Sequence, residues 1–193
     1  RLEAVMDKDE TLSKQLILRS KVLLGTEFGP YGLEEGLSML LEAIRMTSPK
    51  FDLDQIGQGL YTENEIKLIN NIATCYLRAG RHYDAIDVLK QLLRYLQTHL
   101  QKIPPNRAHI PMVAYNYARE LEIVKRFDEA IEMAEYGRKI SVDYGHYQCL
   151  PDIIAILAEC HYHQGDREES AELYQQSFYL YKVLDDRDNR AII

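Results

Sequence analysis

Residues 114–131 read AYNYARELEIVKRFDEAI, and this stretch decides the fold because it contains two apolar helical faces separated by a short polar turn. The first face has the spacing i, i+3, i+4, i+7 of one side of an α-helix and consists of Ala114, Tyr117, Ala118 and Leu121. A second apolar face begins after the turn. The stretch therefore predicts a helical hairpin.

The same pattern occurs at residues 69–86 (INNIATCYLRAGRHYDAI) and 154–171 (IAILAECHYHQGDREESA). From the first copy to the second, both helices shift by 45 residues, and from the second to the third both shift by 40. Two helices that shift together repeat as one unit. The other predicted core positions are Ile69, Ile72, Ala73 and Tyr76; Ile154, Leu157, Ala158 and His161; Ala85, Val88, Leu89 and Leu92; Ala130, Met133, Ala134 and Gly137; Ser170, Leu173, Tyr174 and Ser177.

A degenerate earlier copy, with Gly36 in the small-residue position, completes four predicted hairpins at about 9–47, 62–101, 107–144 and 147–186. In the first hairpin, the turn runs through Gly25 and residues 29–32. Thr62 to Glu65 has the pattern of a capping box at the start of a helix. We therefore predict one all-α domain over residues 1–193, a right-handed superhelical stack of hairpins (α-solenoid).

The turns between paired helices carry a second signal. Gly80, Lys125 and Gly165 occupy equivalent positions, where glycine commonly ends a helix in the left-handed conformation. Lys125 departs from that preference. Other departures from the repeat pattern are His82 and Arg167, where an aromatic residue is usual, and Ser170, where alanine is usual.

The order of small residue, aromatic, glycine, aromatic and alanine resembles the tetratricopeptide repeat, with a longer spacing than the standard 34 residues. Leu60–Ile66 (LYTENEI) followed by Asn70–Ala73 (NNIA) resembles the C-terminal domains of Gram-positive helix-turn-helix (XRE-type) regulators near the Rgg, PlcR and Rap group of peptide-pheromone sensors. That resemblance implies a short peptide bound in the concave groove by asparagines that hold its main chain.

Helical geometry predicts which side chains of the first helices face this groove, since they lie beside the apolar stripe. The predicted peptide-binding residues are Asn70, Asn71, Thr74, Arg78, Tyr115, Asn116, Arg119, Glu159, Tyr162 and His163. The same geometry places Leu77, Glu122, Ile123, Ala155 and Ile156 beside them.

Asn71 and Asn116 occupy the same position in consecutive repeats, and an amide offers both a donor and an acceptor to one peptide unit. Alternatively, these asparagines bridge neighbouring helices, because a buried amide needs partners. Ile156 takes this position in the last repeat, so the ladder would stop there.

Arg78 and Arg119 could pair with a ligand carboxylate, or lie on a solvated helix face. Tyr115 and Tyr162 could form side-chain pockets, although most of the 14 tyrosines should pack between helices.

Charge and motif content exclude several functions. The net charge of −7 argues against DNA binding by this segment. Three cysteines without metal-like spacing indicate reduced thiols and a cytoplasmic protein. Cys160, His161 and His163 cannot converge on one ion from a helix. We expect no cofactor, no metal, no enzymatic activity and no membrane span, since no catalytic motif or long apolar run occurs.

These features favour a ligand-sensing and oligomerising domain of a cytoplasmic transcription regulator. The first residue is Arg1, so we expect a preceding DNA-binding domain. Residues 178–184 predict a homodimer contact or, alternatively, a capping helix. The other hypotheses are an interaction scaffold and a Rap-like regulator of a partner enzyme, both without DNA-linked output.

Overall fold

The structure, a computed structural model, describes residues 2–24, 32–99 and 105–190. This part of the chain contains α-helices, one 3₁₀ helix and no strand, so the all-α prediction is confirmed. The α-helices are α1 (Leu2–Leu24), α2 (Leu33–Arg45), α3 (Glu63–Arg78), α4 (His82–Thr98), α5 (Pro105–Ile123), α6 (Phe127–Tyr144), α7 (Leu150–Gln164) and α8 (Arg167–Arg190). The outer bounds of the predicted hairpins are reproduced to within four residues, except that α1 begins at Leu2, seven residues before the predicted start. The first turn (Gly25 and residues 29–31) lies outside the described residues.

The three turns inside the later hairpins share one geometry. Gly80, Lys125 and Gly165 all have positive φ, at 72°, 63° and 90°. In each turn the next N–H donates to the carbonyl five residues back: Arg81 to Tyr76, Arg126 to Leu121 and Asp166 to His161. This is the Schellman arrangement, which satisfies the last carbonyls of a helix. The predicted left-handed turn is confirmed at Gly80 and Gly165, and Lys125, which departs from the glycine pattern, adopts the same conformation.

The chain forms two compact units, Arg1–Tyr95 and Leu96–Ile193. The single-domain prediction is not tested by this division and stays a prediction. Each unit has its own core.

In the first unit, α2 packs on α1 and α3. Its core includes Leu40, Ile44, Ile69 and Leu92, all fully buried. Between α2 and α3 lies an element that the sequence did not predict, a 3₁₀ helix at Leu53–Gln58.

The predicted capping box at the start of α3 is confirmed, because the Thr62 hydroxyl accepts from the Glu65 N–H and the Glu65 carboxylate accepts from the Thr62 N–H. Glu65 also accepts from the hydroxyls of Thr47 and Ser48, at 2.6 and 2.7 Å. This buried carboxylate therefore ties the end of α2 to the start of α3.

In the second unit, α5 packs on α6, α6 on α7, and α7 on both α5 and α8. Gly137 sits where helices approach closely: a Cβ there would lie 2.9 Å from the Ala114 Cβ and 3.2 Å from Ile153 Cδ1. The predicted core positions Ala114, Ala118, Ala130 and Ala158 are fully buried.

One predicted core position in the second unit is wrong. Tyr174 is 44% exposed, although the equivalent Ala134 is buried. Ala134 lies on α6, which α7 covers, whereas in the described part of the chain no helix follows α8 to cover Tyr174. None of the described helices is long and apolar enough to cross a bilayer.

Candidate functional site

The predicted groove residues of the first unit lie on α3, and its Asn71 already has a partner. Asn71 is buried, and its Oδ1 accepts a 2.7 Å hydrogen bond from Arg19 Nε on α1. Asn71 therefore bridges two helices, which is the alternative that the sequence left open. A ligand N–H that used this oxygen would compete with Arg19.

The neighbours of Asn71 differ in exposure. Asn70 and Thr74 are half-buried, with the Thr74 hydroxyl donating to the Asn70 carbonyl at 3.1 Å, and Arg78 is exposed. Polar groups on this side of α3 are therefore partly accessible.

In the second unit, α5 and α7 bring six of the singled-out side chains onto one face. We call this the α5–α7 face and define it by Tyr115, Arg119, Glu122, Glu159, Tyr162 and His163. Arg119 Nη1 donates to the Tyr115 hydroxyl at 3.0 Å. This hydrogen bond, together with the negative charge of Glu159, raises the pKa of the Arg119 guanidinium. The cation is thus held beside an aromatic ring.

Glu122 is the most enclosed acid of the α5–α7 face, with a side chain 17% exposed. Its Oε1 lies 3.8 Å from His163 Nε2 on α7. Burial and the charge of Glu159 raise the pKa of Glu122, while His163 and Arg119 oppose that shift. The face therefore holds two acids and one fixed cation close enough to influence one another.

Aromatic rings border these charges. The imidazole of His163 stacks on Phe127, with centroids 5.0 Å apart and an interplanar angle of 12°. Tyr162 meets the same imidazole edge-on at 5.9 Å and is 56% exposed. An extended ligand could meet both ring surfaces and charged groups on this face.

The remaining residues that were predicted to line the groove differ in how exposed their side chains are. Asn116 is half-buried and Ile123 is exposed. Ile156 is only 4% exposed, so its predicted groove position is wrong. The apolar stripe of α7 is wide enough to take Ile153, Ile156 and Leu157 inward together, because α5, α6 and α8 all contact this helix. Asn71 belongs to the first unit and Asn116 to the second, and their predicted register stays a prediction.

Several residues around these sites were not found from the sequence. Gln15 and Arg19 reach α2 and α3 across 28 to 52 residues, and no local pattern announces such contacts. Phe127 stands at the turn position where an aromatic is usual, but its stacking partner could not be foreseen. Glu120, on α5, is a fully buried carboxylate that lies outside the predicted apolar stripe of that helix.

The potential metal ligands of α7 point to different neighbours. Cys160 is fully buried, His161 Nδ1 lies 3.7 Å from Asp166, and His163 stacks on Phe127. Burial raises the pKa of the Cys160 thiol to about 12, so the thiolate that binds metals is disfavoured. Across the described residues, no group of three or more His, Cys, Asp or Glu side chains could hold a metal ion.

A model of the RNPP family C-terminal domain matches residues 52–193. Among curated protein sequences no match is found.

Two of the solved structures that resemble this chain are of PlcR from Bacillus thuringiensis. The complex of PlcR with the peptide PapR7 and DNA matches with a TM-score of 0.60 and 19% identity, covering 96% of this chain and 71% of that one. PlcR in its apo form matches with a TM-score of 0.55 and 17% identity, covering 94% and 74%. At these identities the likeness shows the fold, and it confirms the predicted tetratricopeptide-like class.

Proposed function

Because the chain belongs to the RNPP family, we propose that it is the ligand-sensing domain of a transcription regulator and binds a short peptide. The observation that carries this proposal is the α5–α7 face, which presents the guanidinium of Arg119 and the acids Glu122 and Glu159 together with the half-buried ring of Tyr115 and the exposed ring of Tyr162. PlcR, which shares the fold, has been solved with the peptide PapR7 and with DNA.

A peptide suits this face for chemical reasons. Its main chain supplies a donor and an acceptor per residue, which half-buried amides such as Asn116 can match. Its side chains can rest on Tyr115 and Tyr162, whose rings are large, rigid and amphipathic. In the first unit, the Asn71 side-chain oxygen could accept a hydrogen bond from a peptide N–H only after the bond from Arg19 Nε to this oxygen is broken.

We extend the proposal to the regulatory output. A bound peptide changes activity only if it binds one arrangement of the protein more tightly than another. We place homodimer formation at the outer side of α8, where Phe178, Tyr179 and Tyr181 are 74%, 66% and 47% exposed. In this proposal, a segment outside residues 1–193 binds DNA, and the protein acts in the cytoplasm. No catalytic role is assigned.

The test begins with selection of binders from a randomised heptapeptide library, followed by fluorescence-anisotropy titration of the best peptide. Asn71→Ala and Asn116→Ala should each weaken binding by about 1–3 kcal/mol, because each removes a paired amide. Lys139→Ala is the control, since its exposed ion pair with Asp143 lies on α6, which supplies none of the proposed peptide contacts. Unchanged affinity in both asparagine variants would remove them from the site, and a library without binders would defeat the proposal.

Arg19→Ala separates the two interpretations of Asn71. If a peptide uses the Asn71 oxygen, removal of the competing guanidinium should tighten binding of the selected heptapeptide about fivefold. Weaker or equal binding would mean that Asn71 only bridges helices.

A further inference from the structure

The segment between α2 and α3 contains a feature that a helical-hairpin repeat does not require. Residues 48–61, here called the 48–61 loop, curl around a cavity of about 560 Å³. This volume falls in the range of small-molecule sites. The loop lies wholly in the first unit, whereas the α5–α7 face belongs to the second.

The loop is closed at both ends by one carboxylate. Glu65 accepts from the Ser48 hydroxyl at the start of the loop and from the Thr62 N–H just beyond its end, both at 2.7 Å. The Tyr61 N–H donates to the Tyr95 hydroxyl at 3.0 Å. Compact loops with tethered ends are frequently functional, and their cavities exist before any ligand arrives.

One wall of the cavity is apolar and rigid. Phe51 and Tyr61 are buried and meet edge to face, with centroids 6.0 Å apart. Tyr61 passes so close to Gly59 that a Cβ at that residue would lie 2.3 Å from Tyr61 Cζ. Pro49 and Leu60, the latter 78% exposed, complete the apolar lining.

The polar lining has unused donors. Among the described residues, the side chains of Lys50, Gln55 and Gln58 line the cavity and make no hydrogen bond or ion pair. By contrast, the Ser48 hydroxyl is held by Glu65, and the Asp52 carboxylate accepts from the Asp54 N–H at 3.0 Å. The exposed side chains of Lys50, Gln55 and Gln58 therefore remain to recognise a ligand, and all three can donate to a carboxylate, while the exposed Asp52 carboxylate keeps its negative charge at the same cavity.

We propose that the 48–61 loop binds a small amphipathic carboxylate, with its apolar body against Phe51, Leu60 and Tyr61 and its anionic end at Lys50. This site goes beyond the proposed peptide face and does not depend on it. The ligand could be the C-terminal residue of a peptide or a free aliphatic acid, since both carry the same chemistry.

The experiment is titration of the ¹⁵N-labelled chain with N-acetyl-L-leucine, N-acetyl-L-leucinamide and hexanoate, followed by amide shifts in two-dimensional NMR spectra. The acid should shift residues 49–61 and bind about tenfold more tightly than the amide, because only the acid forms a charge-assisted hydrogen bond. Tighter binding of N-acetyl-L-leucine than of hexanoate would indicate a peptide C-terminus, and the reverse a free acid.

Lys50→Gln should erase the difference between acid and amide, whereas Lys67→Gln should retain it. Gly59→Ala should abolish binding of all three probes by displacing the Tyr61 ring, and Gly57→Ala is its matched control because a Cβ there meets no atom within 4 Å. Equal affinity for acid and amide in the unmodified chain, or shifts confined to residues outside the loop, would overturn the proposal.

Discussion

Replacing Glu65 with glutamine tests whether a buried, ionised carboxylate joins α2 to α3. Its two oxygens accept from the Thr47 hydroxyl at 2.6 Å and from the Ser48 hydroxyl and Thr62 N–H at 2.7 Å. Burial by itself would raise the pKa of Glu65, but these donors outweigh it and hold the pKa below its usual value. The ionised form is therefore the favoured one in the folded chain.

The magnitude follows from these three bonds. Hydrogen bonds to a charged group are roughly twice as strong as neutral ones, so neutralising Glu65 weakens each by about 1 kcal/mol. Release of the desolvation penalty offsets part of that loss. We expect Glu65→Gln to lower the free energy of unfolding by about 1–2 kcal/mol at pH 7, measured by urea denaturation followed by circular dichroism.

The pH dependence gives a second readout. A carboxyl whose folded pKa is depressed stabilises the fold above its unfolded value near 4.5, and this contribution is lost as pH falls through the folded pKa. The difference between the two proteins should therefore shrink towards zero in strong acid. Glu63→Gln, in an exposed pair with Lys67, is the control and should cost less than about 0.5 kcal/mol. Equal costs for the two variants, or a Glu65 effect that does not change with pH, would refute this reasoning.

Two further predictions concern backbone and packing. Gly137→Ala should lower the free energy of unfolding by about 1 kcal/mol, because overpacking against the Ala114 Cβ, 2.9 Å from the new atom, exceeds the gain in helix propensity. In the double variant with Ala114→Gly, the penalty of the Gly137→Ala change should be smaller. If urea denaturation shows that the effects of the two single changes simply add in the double variant, the contact between these residues is not the cause. Residues 80 and 125 both have positive φ, which glycine adopts more easily than any residue with a Cβ atom. Lys125→Gly should therefore stabilise the chain by about 0.5–1 kcal/mol, and Gly80→Ala should destabilise it. A change in melting temperature of the same sign for both variants would contradict this.

The local features of this protein could be read from its sequence. The 45- and 40-residue offsets predicted the helical hairpins, and the capping box at Thr62 and the left-handed turns at Gly80 and Gly165 lie where expected. These features depend on interactions within a few residues along the chain. Periodic apolar positions and terminal hydrogen bonds are therefore visible in the order of residues alone.

The surroundings of each helix were decided only by the tertiary structure. The bond from Arg19 to Asn71 joins residues 52 positions apart, and the bond from the Ser48 hydroxyl, at the start of the 48–61 loop, to Glu65 on α3 joins residues 17 positions apart. Helical periodicity shows which side of a helix is apolar but not which neighbour covers it. For that reason Ile156 was predicted to face a groove and is buried, while Tyr174 was predicted to be buried and is exposed.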